Sequence, residues 1–394
     1  MKQNKMKKIK QIIPLTFVVY FSTTAILIFC GLADSIYLTI SHYRNYTDLA
    51  YKSFCAVSKA LNCDTVAQSP YSVFFGVPLA VWGIIGYIFL SLFLIFIWGK
   101  RDEKKRIWTL LYVFSIIFSI ISIVLAIAST VYIHSYCIMC VGIFGINFLL
   151  MYFTWLIRRR YGASSFIEEL KQDGKYFWKV KKKSAVFFLP FLVCVIAVII
   201  FLPHYWEFKV PVGYYNLTVG ITDDGHPWIG AEHPVLEITE FTDYLCFPCN
   251  KMHFYLRQLI MENPGKIRLI HRHFPMDHKY NFTVRAPFYE GTGELALVAI
   301  YATTKGKFLE MNDLLFSLAR KRKPIKIKEL ADKVKLDYRE LRASLHNKEI
   351  FDMLGIDIWD GYKLGITGTP AYVIDGKVYQ GNIPPEIIRR AIEE

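Results

Sequence analysis

The sequence predicts a multi-domain protein: an α-helical membrane bundle, with a four-helix core plus a fifth transmembrane helix, followed by a soluble α/β domain with a helical insertion. Three observations predict it. Five apolar stretches are long enough to cross a bilayer, which takes about 20 helical residues. The basic residues gather at the ends of those stretches, and from about residue 227 the composition becomes that of an ordinary soluble domain. With 394 residues, 54% hydrophobic and 16% aromatic, the chain is too apolar for two soluble domains.

The spans run over residues 12–40, 73–98, 107–133, 137–157 and 184–202. The first is too long for the apolar part of a cleaved signal and lacks a small-residue cleavage site, so it reads as an anchor. Residues 1–13 carry five lysines and no acid, residues 99–106 five basic and two acidic side chains, and residues 158–183 nine basic and three acidic; these segments hold the whole formal net charge of +14. Lys and Arg mark cytoplasmic flanks. The N-terminus, 99–106 and 158–183 are therefore expected inside, and 41–72, the turn 134–136 and everything after 203 outside. Basic residues at membrane edges, rather than on one folded face, exclude a nucleic-acid partner.

The eight cysteines sort by this topology. Cys30 and Cys194 lie inside spans, where a thiol is expected as a small buried hydrophobe. The other six fall outside or at the outer membrane edge in three pairs: Cys55 with Cys63, Cys137 with Cys140, and Cys246 with Cys249. Disulfides persist on the oxidising side of a membrane, and three pairs on one side suggest a relay by thiol–disulfide exchange. The motif "CIMC" at the outer mouth of the fourth span stands where a lipid-soluble electron acceptor could reach it. Asp34, the one acid of the first span, reads either as a proton shuttle or as an interfacial acid facing the loop. His134 carries the same ambiguity.

In the C-terminal part a strand (235–241) runs into "CFPC", and Met252, Tyr255, Leu256 and Leu259 recur at helical spacing behind it. A second strand (267–274), a helical stretch over 286–365, a Thr-Pro step, a hairpin turning at Asp375-Gly376 and a last helix after Pro384-Pro385 complete the order. A Cys at a helix N-terminus feels the positive end of the dipole and unpaired N–H groups, which favour its thiolate. Cys246 is thus the expected attacking thiol and Cys249 the resolving one. Zinc needs four ligands. His253, His271, His273 and His278 are candidates, but no second CxxC stands near, and a His pair at alternate strand positions is usually polar surface. No metal is expected.

This order of elements resembles the thioredoxin fold in its DsbA-like branch, and "RHFPMDH" after the second strand is similar to that branch. The resemblance implies that Pro370 of the Thr-Pro step is cis and packs beside the active disulfide. Residues 12–157 resemble the vitamin K epoxide reductase family: paired loop cysteines, a following serine, G-x-P near the start of span two, and CxxC at the outer end of span four. The resemblance implies that Cys137 and Cys140 form the active pair, with Cys140 facing a quinone, and that Cys55 and Cys63 are the shuttle pair. Cys55 would then exchange with the thioredoxin-like partner and Cys63 with Cys137. It places Ser69 at the family's loop serine, and Ser72 and Phe144 where vertebrate members use Asn and Tyr to bind the quinone oxygens. That departure points to a plain ubiquinone or menaquinone rather than an epoxide. Fusion to a thioredoxin-like domain through a fifth span is a bacterial arrangement of the family.

The expectation is a disulfide-forming thiol:quinone oxidoreductase, multi-pass in a bacterial inner (cytoplasmic) membrane. Its domains would be 1–160 (membrane), 161–226 (cytoplasmic loop, fifth helix at about 184–203, and linker) and 227–394 (extracytoplasmic). Its partners would be the lipid bilayer, a membrane quinone and exported proteins with reduced cysteines. Two other readings use the same cysteines: an outward-directed thiol reductase, and a membrane-tethered thiol chaperone without quinone chemistry.

Overall fold

The computed structural model describes residues 16–48, 51, 53–57, 61–98, 107–133, 135–161, 165–207, 217–285, 287–318 and 325–393. The basic segments 1–13 and 99–106, and His134, lie outside the described residues. The chain forms two compact units.

The first unit is helical. Apart from residues 43–47, 68 and 70, which group with the second unit, it contains α1 (Phe17–Thr47), α2 (Cys63–Gln68), a 3-10 turn (Pro70–Ser72), a hairpin of β1 (Val73–Phe74) and β2 (Val77–Pro78), and then α3 (Leu79–Trp98). There follow α4 (Trp108–Ala128) with a π-helical turn (Ser129–Ile133), α5 (Ile138–Tyr161), α6 (Phe166–Lys179) and α7 (Lys181–Phe201). Among the described residues, α1, α3, α4 with its π turn, α5 and α7 are long and apolar enough to cross a membrane. The molecule is a membrane protein.

Two boundaries differ from the sequence reading. The first helix continues past residue 40 to Thr47. Residues 73–78 are a hairpin rather than the start of the second span, with Phe75 (φ 49°) and Gly76 (φ 69°) in its turn. Pro78 has no N–H for a helix interior, so α3 starts after it. Composition could not show this, because a short apolar run reads the same in strand and helix.

Small residues let the helices approach. A Cβ on Gly31 of α1 would overlap the Tyr87 ring of α3, and one on Gly83 would lie 2.6 Å from Ser35 Oγ. With almost no hydrophobic drive in lipid, such contacts and polar links hold membrane helices together. Tyr87 donates to Asn147 Oδ1 (2.7 Å), and Asn147 Nδ2 donates to Ser122 Oγ (2.9 Å), which joins α3, α5 and α4. Outside the spans, α6 is tied to the start of α4. Asp173 Oδ2 accepts from the Leu110 N–H (3.0 Å), while Glu169 accepts from Thr109 (3.1 Å) and from Arg158 (2.8 Å). The Leu110 N–H is one of the donors that a helix start leaves without an intrahelical partner. Cys30 and Cys194 are exposed on the protein surface, contrary to the expectation that both are buried. A thiol is apolar enough to face hydrocarbon at little cost.

The second unit is an α/β domain built on a six-stranded mixed sheet of order β3-β4-β6-β5-β7-β8. Its strands are β3 (Val219–Ile221), β4 (Pro227–Gly230), β5 (Leu236–Thr242), β6 (Ile267–His273), β7 (Ala371–Ile374) and β8 (Lys377–Gln380). Helix α8 (Phe247–Glu262) connects the parallel pair β5 and β6; the other pairings are antiparallel. Five helices, α9 (Thr292–Thr304), α10 (Phe308–Leu318), α11 (Ile327–Val334), α12 (Tyr338–Ser344) and α13 (Lys348–Lys363), form the insertion before β7. Helix α14 (Pro385–Glu393) closes the chain. Because β3 pairs with β4, the domain takes in residues ahead of 227, and the segment read as linker up to 226 yields its last part to the sheet. That strand is short and carries only alternate apolar residues, too weak a pattern to stand out. One core lies between the sheet, α8 and α14 (Ile238, Leu256, Leu269, Tyr372, Ile388). The other gathers the inserted helices around Phe241, Phe274, Cys246 and Cys249.

Candidate active site

In the membrane unit, four of the cysteines meet. Cys55 and Cys63 are disulfide-bonded with Cα atoms 5.7 Å apart. Together with Cys137 they form one buried cluster, with exposures of 1%, 3% and 2%, and Cys140 and Met139 pack against it. Local sequence explains how Cys63 is held. Asn62 is the N-cap of α2: its Oδ1 accepts from the N–H of Asp64 (3.0 Å) and of Thr65 (3.1 Å). The Asn62 N–H donates to the Tyr136 carbonyl (2.9 Å), and Leu61 and Tyr136 pair as an isolated bridge. The residues just before Cys63 and just before Cys137 are therefore fixed to each other. Asp64 closes the loop from the other side by accepting from the Ser53 N–H (3.0 Å).

Cys137 stands at the entrance of α5, and its Sγ accepts from the Cys140 N–H at 3.2 Å. Asp34 of α1 faces this entrance. Its Oδ2 is 3.5 Å from where a Cβ on Gly142 would sit, and it interacts electrostatically with Cys137, Cys140 and Tyr87. Its Oδ1 is buried without a hydrogen-bond partner. One turn on, a Cβ on Gly145 would meet nothing within 4 Å. Of the residues assigned by resemblance, Ser72 is buried with its Oγ 3.3 Å from His42 Nε2, Phe144 lies half-buried on α5, and Ser69 falls in the turn after α2. The open position at Gly145 and the unsatisfied Asp34 oxygen fit a flat apolar group that carries oxygens, as a quinone does.

In the α/β domain, Cys246 and Cys249 are disulfide-bonded, with Cα atoms 5.3 Å apart. Cys246 is the N-cap of α8, and its Sγ accepts from the Cys249 N–H at 3.2 Å, which repeats the arrangement at Cys137. Cys246 (2% exposed) and Cys249 (0%) are both buried, and the N-cap position of Cys246 is the one at which helix N–H donors favour a thiolate. The Thr369–Pro370 bond is cis, and the Thr369 carbonyl oxygen is 3.4 Å from Cys246 Sγ. Pro370 thus stands next to the disulfide. Asp243 holds the turn before it, its oxygens accepting from the N–H of Leu245 (2.7 Å) and of Met276 (2.6 Å). Burial raises the Asp243 carboxyl to about 6 against the lowering effect of those bonds.

A buried polar cluster lies beneath, and the sequence reading missed it. Glu240 sits on β5 and its Oε1 is hydrogen-bonded to His271 Nδ1 (2.7 Å) on β6. Burial pushes the Glu240 carboxyl up to about 7, opposed by His253 and Arg257. Burial pulls His273 down to about 3 and His271 well below its ordinary value, so both are neutral at pH 7. His271 and His273 share one strand face as alternation requires, but that face is interior, not polar surface. Among the described residues no group of three or more His, Cys, Asp or Glu is placed to hold a metal. Strand parity carried the missing signal: Leu236 and Ile238 point inward, and Glu240 follows them at the same spacing.

Comparison with known proteins agrees with this division. Residues 22–155 match the Vitamin K epoxide reductase family, and residues 222–394 match a family described as Thioredoxin. No curated protein matches the chain. Among solved structures it is similar to a thioredoxin-like oxidoreductase from Silicibacter pomeroyi DSS-3, with 21% identity over 44% of this chain and 92% of that one (TM-score 0.36). It is similar also to a periplasmic thioredoxin-like protein from Salmonella enterica serovar Typhimurium, with 22% identity over 44% and 90% (TM-score 0.34). A third likeness is to the thiol-disulfide exchange protein alpha-DsbA2 from Wolbachia pipientis, with 20% identity over 43% and 86% (TM-score 0.33). The protein is a thiol–disulfide oxidoreductase that joins a vitamin K epoxide reductase family domain at residues 22–155 to a thioredoxin-like domain at residues 222–394.

Proposed function

We propose that the chain forms disulfides in exported proteins and passes the electrons to a membrane quinone. Reduced client thiols attack the Cys246–Cys249 disulfide and leave it as a dithiol. That dithiol reduces Cys55–Cys63, with Cys55 as the entry sulfur. Cys63 then attacks Cys137, and the Cys137–Cys140 pair is left reduced. A quinone held near Ser72, Phe144 and Asp34 would supply the final two-electron acceptor. The one observation that supports this route most is the shared cluster of Cys55, Cys63 and Cys137, locked by the Asn62–Tyr136 backbone bond.

On this reading the protein sits in a bacterial cytoplasmic membrane with its N-terminus inside. The membrane domain covers residues 1–160. The loop, fifth helix and linker follow, and the thioredoxin-like domain works outside. The loop serine Ser69 and the cis-Pro370 step assist at their respective pairs. Proximity supplies much of the rate, since a tethered thiolate needs no bimolecular encounter.

The test is quinone reduction by the purified full chain in detergent, with a reduced unfolded protein as donor and ubiquinone or menaquinone as acceptor. Turnover by the wild type and its loss in a Cys137→Ala, Cys140→Ala double variant are expected. Absence of wild-type turnover with either quinone would overturn the oxidase reading in favour of an outward reductase or a tethered chaperone.

A further inference from the structure

Between Phe17 and Thr47 helix α1 carries one acidic side chain, Asp34. Elsewhere in this unit, buried acids are paired: Asp173 takes the Leu110 N–H, and Glu169 takes Arg158 and Thr109. Asp34 differs. Its Oδ1 is buried with no partner, and among the described residues no ion pair reaches it. Its Oδ2 lies over Gly142, two residues beyond Cys140, where the missing side chain lets the carboxyl approach the first turn of α5. The titratable groups that face it are Cys137 and Cys140 from α5 and Tyr87 from α3. Tyr87 already donates its hydroxyl to Asn147, so it does not serve Asp34. An unpaired ionisable group inside a membrane protein is expensive and is kept for function.

We propose that Asp34 is the proton carrier for the Cys140 thiol. This rests on the reading that Cys55–Cys63 and Cys137–Cys140 exchange electrons. When the Cys63 thiolate bonds to Cys137 Sγ, the Cys137–Cys140 bond breaks and its electron pair goes to Cys140 Sγ. That sulfur faces no cation among the described residues and needs a proton. Asp34, as the carboxylic acid, donates it through an intervening water. The Cys55 thiolate then displaces Cys137 from Cys63, and Cys137 takes up a proton. The two protons lost by Cys55 and Cys63 equal the two gained by Cys137 and Cys140, so Asp34 is restored. When the pair is reoxidised, Asp34 as carboxylate takes the Cys140 proton back.

The experiment presents a small dithiol to the fully oxidised full-length protein, without quinone, across a range of pH. Samples are quenched with maleimide, and the state of the Cys137–Cys140 pair is read by mass spectrometry. Wild type, Asp34→Asn and Asp34→Glu are compared. Asp34→Asn should slow reduction of the pair by about 10²-fold and flatten its pH profile, while Asp34→Glu restores both. In the reduced protein, loss of the neighbouring charge should also speed alkylation of Cys140 in Asp34→Asn. An Asp34→Asn variant with wild-type transfer rate and pH profile would overturn the proposal. If wild type itself shows no transfer to Cys137–Cys140, the relay fails instead.

Discussion

Replacing Glu240 by glutamine should change stability in a way that depends on pH. Glu240 is fully buried on β5, and its carboxyl ionises near 7 in place of the ordinary 4.5. Each unit of such a difference is worth about 1.4 kcal/mol, so the displacement amounts to about 3 kcal/mol. The direction follows from which state loses its proton first. Below about pH 4.5 the group is protonated whether the domain is folded or not, and it costs nothing. As pH rises towards 7 the unfolded chain releases the proton earlier, and the folded domain loses stability until both states are ionised. Neutral His271 and His273 impose the opposite trend in acid, since the unfolded chain protonates them. That contribution is common to both proteins and cancels in their difference. Glutamine keeps one hydrogen bond to His271 and leaves an amide hydrogen without a partner, at about 1 kcal/mol. Glu240→Gln should thus be slightly less stable than wild type at pH 4.5 and about 2 kcal/mol more stable at pH 8. Hydrogen exchange of the β5 and β6 peptides in the full chain, corrected for intrinsic rates, reads this difference. An equal difference at both pH values would refute the buried-carboxyl account.

Two further outcomes follow from the membrane cysteines. In Cys140→Ser the Cys137 thiolate has no resolving partner, so it should accumulate as a mixed disulfide with Cys63, displacing Cys55; peptide mapping that finds Cys55 instead would reverse the assigned order. Asn62→Ala removes the cap that accepts from Asp64 and Thr65, a loss of about 1 kcal/mol that should slow transfer between the two pairs about fivefold in the maleimide-quench assay. An unchanged rate would mean that the Tyr136 link alone positions Cys63.

The cysteine pairs were legible because chemistry fixes their spacing, and the spans because lipid demands long apolar runs. What was not legible depends on contacts made at long range. The link between Cys63 and Cys137 runs through a backbone N–H of Asn62 and a carbonyl of Tyr136, and no side-chain pattern marks it. Glu240 and Glu237 are three residues apart on one strand, yet one is buried and the other exposed; only parity with Leu236 and Ile238 separates them. Asp34 stands out in the sequence as a lone acid, but its place over Gly142 is a long-range contact that no local pattern shows. Cys30 and Cys194 are exposed because a place inside a span is not a place inside the protein, and lipid accepts a thiol.

The two CxxC pairs share one device. In each, the first cysteine precedes a helix and its sulfur accepts the N–H of the second at 3.2 Å. Helix N-terminal donors favour a thiolate at that first position, so neither pair gains an advantage from this element. Their surroundings differ instead. Cys246 lies beside Thr369 and Pro370, and its partner Cys249 is buried in the core of the α/β domain. On the proposed route Cys140 is the sulfur displaced at the start of α5. The acid proposed for that sulfur is Asp34, whose Oδ2 lies over Gly142. The same helix-cap cysteine arrangement thus stands in two different surroundings, and the proposal adds one acid, Asp34, at the α5 pair.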